Sequence, residues 1–136
     1  MSITSRNTQG SRGISTGVIA PRTGVLGALE LRLDHHRRAL RTARRTGARR
    51  AMRRAGRQIQ ALRAAQAVWQ AGAEVEQMPR GRTWVVRFSG VDHLVGSAAA
   101  PGELRRFFCA CPAGGHCPAA HLVAAVEGSG DALAGV

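Results

Sequence analysis

The chain has 136 residues and a formal net charge of +12, from 20 basic residues against 8 acids. That length allows one modest domain with extensions, and a core this small is often completed by a metal or a second subunit. The composition excludes an acidic-cluster enzyme, a disulfide framework built on paired cysteines, and a membrane span of about 18 apolar residues.

Every basic residue is Arg; the chain has no Lys. Arg offers a planar fork suited to phosphate, although GC-rich codon usage produces the same bias. A sequence pI near 11.8 predicts attraction to nucleic acid, anionic lipid or an acidic protein.

Residues 1–22 are rich in Ser, Thr and Gly and are read as a disordered tail. They have no apolar signal-peptide core, so a soluble cytoplasmic protein is expected. Thr23 is positioned to cap the helix that follows. From Val25 to Ala71 the chain is Ala, Leu, Arg and Gln without proline. Leu26, Leu29, Leu33 and Leu40 form one apolar stripe. Ala48, Met52, Ala55, Ile59, Leu62 and Trp69 form another. Thr46-Gly47 is the expected break, giving two helices, either collinear or folded as a hairpin.

Eleven arginines fall between Arg37 and Arg63 without one acid. Arg37, Arg41, Arg45, Arg49, Arg53 and Arg57 step by four and wind a positive band around the helix. An ordinary solvated helix alternates signs at this spacing, and like charges repel. A polyanion would compensate them. Arg37, Arg38, Arg41, Arg44, Arg45, Arg49, Arg50, Arg53, Arg54 and Arg57 are therefore the candidate nucleic-acid contacts.

After Gly72, Met78-Pro79-Arg80-Gly81 reads as a turn and Thr83–Phe88 as a strand. Ser89-Gly90 is a further turn, His93–Val95 a short strand, and Leu104–Phe108 a third strand running into Cys109. Pro118 suits the first position of a final helix with Cys117 before it. Gly128-Ser129-Gly130 is expected to end that helix.

All three cysteines lie in Cys109-Ala-Cys111-Pro-Ala-Gly-Gly-His116-Cys117, with His121 four residues beyond. Structural zinc takes four Cys and His ligands in a tetrahedron. A local knuckle after the strand would bring Cys109 and Cys111 to one ion, and the Pro112–Gly115 loop would return Cys117 to it. His121, one helical turn past Cys117, completes the expected set of Cys109, Cys111, Cys117 and His121; His116 competes for the fourth place. His35, His36 and His93 are read as ordinary surface or core residues. Four protein ligands leave no open position, and no paired carboxylates, phosphate loop or serine nucleophile motif accompany them, so catalysis is not expected.

The Cys109-Ala-Cys111-Pro112 start, Gly114-Gly115, and Cys117 to His121 running into Leu122-Val123-Ala124-Ala125-Val126 resemble the SWIM-type zinc finger over residues 74–127. Three residues, Pro118-Ala119-Ala120, separate the last Cys and His where that family usually has one. The resemblance implies Zn2+ binding and either nucleic-acid association or an adapter role.

The expected architecture is α+β: a long basic helix or helical hairpin, then a small β-hairpin/helix zinc-finger module. Its segments are a tail (1–22), an Arg-rich arm (23–72), the module (73–128) and a C-terminal tail (129–136). The expected partner is nucleic acid, DNA before RNA, held with low sequence specificity. The alternative is a protein adapter that assembles, with a partner or a second copy, through the long helix stripe and the zinc module. Neither reading involves a membrane or a small-molecule substrate.

Overall fold

The computed structural model describes residues 18–19, 24–79, 82–99, 101–102 and 105–135. Strand β1 (Val18–Ile19) is followed by helices α1 (Val25–Thr46) and α2 (Arg49–Gln70). Strands β2 (Glu74–Gln77), β3 (Thr83–Phe88), β4 (Val91–Ala98) and β5 (Arg106–Cys109) come next, then a single 3-10 turn (Gly114–His116) and helix α3 (Pro118–Gly135). The architecture is α+β, as the composition shift near Gly72 predicts.

The break between α1 and α2 follows from Gly47. It adopts φ 71, a left-handed conformation that glycine reaches without a Cβ clash. Ala48 N–H donates to Ala43 O at 3.0 Å and Gly47 N–H to Arg44 O at 3.4 Å, the paired bonds of a Schellman C-terminus. The helices fold back as a hairpin rather than running collinear: Gln66 Nε2 donates to Glu30 Oε2 at 2.7 Å, 36 residues away. Gly72, at φ 108, ends α2 in the same manner, with Ala73 N–H on Val68 O at 2.9 Å. Thr23 lies outside the described residues; Gly24 immediately precedes α1.

The five strands form an antiparallel sheet in the order β1-β2-β3-β4-β5. The helical hairpin is inserted between the first two. Ser89 (φ 55) and Gly90 (φ 74) join β3 to β4 in a two-residue turn with both φ positive. Such a turn matches the twist of the flanking strands. It sets Phe88 opposite Val91 and Trp84 opposite Val95, so Trp84, Val86, Val91, His93 and Val95 share one face.

Helix α3 lies between the other layers, touching α1, α2 and strands β2 to β5. Over residues 119–125 it is covered nearly all round: Ala119, Leu122, Val123 and Ala125 are fully buried. Val25, Leu29 and Leu33 of α1 and Ile59, Leu62, Ala65 and Trp69 of α2 close the same core. Much of the stripe expected to serve a partner helix thus serves this chain's own core. Leu26 is 40% exposed, and Met52 and Leu40 are half-buried.

Three elements depart from the sequence reading. Strands β1 and β2 have no clear alternation of their own and exist through pairing, Val18 with Gln77 and Ile19 with Glu76. All but Val18 and Ile19 of the expected 1–22 tail falls outside the described residues. Helix α3 runs to Gly135, through the glycines expected to stop it. Gly128 is not among the glycines with positive φ, so it costs helix stability, about 1 kcal/mol relative to Ala, without terminating the helix.

Leu122→Ala is expected to destabilise the fold by about 2–5 kcal/mol. Leu31→Ala, at a position 66% exposed, should change it by less than about 0.5 kcal/mol. Chemical denaturation of both variants checks this.

Candidate metal centre and basic surface

Strand β5 delivers Cys109 to the inward face of the sheet, opposite Val95. The ladder continues one step further, with Ala110 N–H donating to Leu94 O at 2.9 Å. The next positions in that register are Cys111 and His93. The chain bends at Ala110 and Cys111, the knuckle expected there. A turn with Gly114 N–H on Cys111 O at 3.0 Å leads into the 3-10 segment. Cys117 then stands before Pro118 in extended conformation, φ −75 and ψ 139. Its carbonyl accepts from Ala120 N–H at 3.1 Å and His121 N–H at 3.3 Å.

The result is a cluster of His93, Cys109, Cys111 and Cys117 whose ligand atoms all lie within 4.8 Å of one another. Cys109 Sγ is 3.7 Å from His93 Nδ1. A tetrahedron with metal–sulfur bonds of about 2.3 Å has edges of about 3.8 Å, so a small contraction closes the group on one ion. The imidazole of His93 stacks on Phe88, with ring centroids 4.5 Å apart and planes 4° from parallel, which fixes its orientation. Cys109 and Cys117 are buried and Cys111 half-buried. Burial pushes the Cys109 thiol up, and pushes Cys117 up to about 12. Burial also raises Cys111, but bonding to Cys109, to the Ala113 and Gly114 backbone and to Cys117 outweighs it and leaves Cys111 below its ordinary value. A divalent cation would displace protons held by these thiols.

The structure brings the three predicted cysteines together and supplies His93, not His121, as the fourth group. His121 is 2% exposed and faces α1 and α2 instead. Its Nε2 donates to Gln58 Oε1 of α2 at 2.5 Å, and its Nδ1 faces Arg32 Nη2 at 3.4 Å. Cys117 precedes the helix in extended conformation, so the four-residue helical spacing does not aim the two side chains alike. His93 was visible in one signal: a Ser-Gly hairpin turn places it on the same face as Val95, two strand positions away. His35 is exposed and His36 half-buried; the His36 ring meets His121 edge-on at 6.3 Å.

Nine of the ten predicted contact arginines are exposed and Arg37 is half-buried. Because α1 and α2 fold back on Gly47, the band gathers around the outer end of the hairpin. Among the described residues Arg37 alone of the ten makes an ion pair, with Asp34 at 3.3 Å and Glu30 at 3.6 Å. Arg50, Arg53, Arg54 and Arg57 of α2 line a crevice of about 300 Å³ with His116 of the 3-10 turn. The buried Nδ1 of His116 has no hydrogen-bond partner among the described residues. Among the described residues no helix is long and apolar enough to cross a membrane. Compared with protein-family models, with curated proteins and with solved structures, the chain shows no match.

Burial, with the positive charges of Arg32, His36 and His116, holds the His121 pKa down at about 3, from 6.5. The folded protein thus keeps His121 neutral while the unfolded chain takes up a proton below about 6.5. Its contribution is full above that pH and is lost as pH falls from 6.5 toward 3. The stability advantage of the wild type over His121→Gln should therefore shrink over that window, by on the order of a few kcal/mol. Denaturant unfolding of both proteins at pH 7, 5.5 and 4 measures it.

Proposed function

We propose that the chain is a zinc-stabilised accessory module that binds nucleic acid through the phosphates, using the arginine-rich end of the α1–α2 hairpin. The observation that carries the reading is the hairpin itself. It gathers ten arginines on two antiparallel helices, nine of them with no ion pair among the described residues. Exposed like charges destabilise a helix by mutual repulsion unless a polyanion neutralises them.

Zinc is the metal this donor set favours. Three thiolates and one imidazole suit a borderline-soft ion with tetrahedral preference. Four protein donors fill the site, so its role is structural. It ties β4, β5 and the start of α3 together and seats the 3-10 turn, with His116, beside the hairpin arginines. The SWIM resemblance supports this reading through its three cysteines; His93 would take the place that the resemblance gives to a helix histidine. Phosphate contacts position a protein without reading bases, so low sequence specificity goes with this surface. Duplex DNA is the proposed ligand, because no aromatic side chain stands among the arginines to stack on unpaired bases.

An adapter role is the second reading, favoured by the outward sheet face. Leu94 is 51% and Phe108 45% exposed, and Phe108 lies over Gly96, whose added Cβ would meet its ring at 3.3 Å. A strict monomer by light scattering at high concentration, with no co-purifying protein, would count against it.

If about six phosphates are neutralised, log affinity for duplex DNA should fall against log salt with slope about −5. Replacing Arg50, Arg53, Arg54 and Arg57 by Gln should flatten that slope by about 3–4. An affinity unchanged between about 50 and 200 mM salt, where that slope predicts about a thousandfold fall, would rule out the phosphate interface.

A further inference from the structure

A second cavity, of about 560 Å³, opens between α1, α2, α3 and β5. It is separate from the crevice on the hairpin and from the cysteine cluster. Arg32, Gln58 and His121 line it, with Arg105, Arg106 and Glu127 also at its wall. Its volume falls in the ordinary range for small-ligand sites, about 300–1,000 Å³.

Arg32 is the unusual member. Arg32 is half-buried, and burial lowers its pKa. Its Nε is buried with no hydrogen-bond partner among the described residues. Among the described residues no carboxylate pairs with it. Among the described residues its Nη2 meets the imidazole of His121, at 3.4 Å. That imidazole gives its Nε2 proton to Gln58 and turns a neutral lone pair to Arg32. It satisfies a donor but cancels no charge. Buried charges in proteins are ordinarily paired; here the positive charge faces a cavity instead.

Arg105 and Arg106 are exposed and line the same cavity, so three guanidiniums share one concave site. Among the described residues Glu127 is the single acid lining it. Among the described residues, three cations against one anion leave room for a doubly charged ligand, and the guanidinium fork matches phosphate oxygens. We propose that this cavity binds a phosphate monoester, either on a free small compound or at the phosphorylated end of a nucleic-acid strand. The phosphoryl group would pair with Arg32 at the inner wall, and Arg105 and Arg106 would close over it.

The test is calorimetric titration of the full chain at constant ionic strength. The probes are inorganic phosphate, adenosine 5′-monophosphate against adenosine, and a 5′-phosphorylated hexanucleotide against its 5′-hydroxyl form. One phosphate site per chain is expected. Arg32→Gln and Arg106→Gln should each weaken phosphate binding by about tenfold or more. Arg106 is exposed, so Arg106→Gln should leave the melting midpoint in phosphate-free buffer unchanged, which separates loss of the site from loss of the fold. A preference for the phosphorylated hexanucleotide assigns the site to strand ends; a preference confined to adenosine 5′-monophosphate assigns it to small compounds. Phosphate binding that is absent, or equal in wild type and both variants, overturns the proposal. Failure of the hairpin to bind duplex DNA would leave the inorganic-phosphate result intact, so the two readings fail separately.

Discussion

Four ligand atoms from three stretches of chain converge within 4.8 Å, and the geometry around them depends on that convergence. His93 arrives on β4, Cys109 and Cys111 at the end of β5, and Cys117 immediately before α3. Two of the segments that frame the cluster are short: β5 has four residues and the 3-10 turn three. Among the described residues the loop from Ala110 to Cys117 is ordered by short turn hydrogen bonds such as Gly114 N–H to Cys111 O and His116 N–H to Ala113 O. With a metal in place, β5 and the start of α3 would be fixed to one another. The burial of Leu122 and Val123 would follow from where that helix begins. Metal binding to such a site is folding free energy, on the order of 10 kcal/mol for small zinc modules.

The charge distribution sets the second constraint. The inner half of the helical hairpin is anchored by Val25, Leu29, Leu33, Leu62 and Trp69 in the common core. Its outer half carries the arginines and is held mainly by α1 against α2, through small buried residues such as Ala43 and Ala55. Apolar packing thus supplies the stability that like-charge repulsion removes. Among the described residues it leaves the contact arginines other than Arg37 without an ion pair, a surface suited to an external anion. Charge and core occupy different ends of the same two helices.

Much of this was legible in the sequence. Strand β3 was readable from Thr83 to Phe88 because β-branched and aromatic residues are clustered there between turn residues. The helix break was readable at Gly47, and the start of α3 at Pro118, because each has a local stereochemical cause. The three cysteines were readable from spacing alone. The fourth member of the cluster was not read, because it depends on the register of β4 against β5, a long-range pairing. Helical spacing pointed to His121, but Cys117 lies outside the helix, so its thiol turns toward the sheet while the imidazole turns toward Gln58. Strands β1 and β2 were missed for the same reason as His93: they are defined by their partners more than by their own composition. Helix α3 outran its expected end because glycine weakens a helix without necessarily stopping it.

The measurement that tests the central claim most directly is metal content of the full chain purified without chelator, for the wild type, His93→Ala and His121→Ala. The account predicts one zinc per chain in the wild type, loss or marked weakening of zinc in His93→Ala, and zinc retained in His121→Ala. Folded wild-type protein without metal, or zinc lost from His121→Ala and kept by His93→Ala, would contradict it.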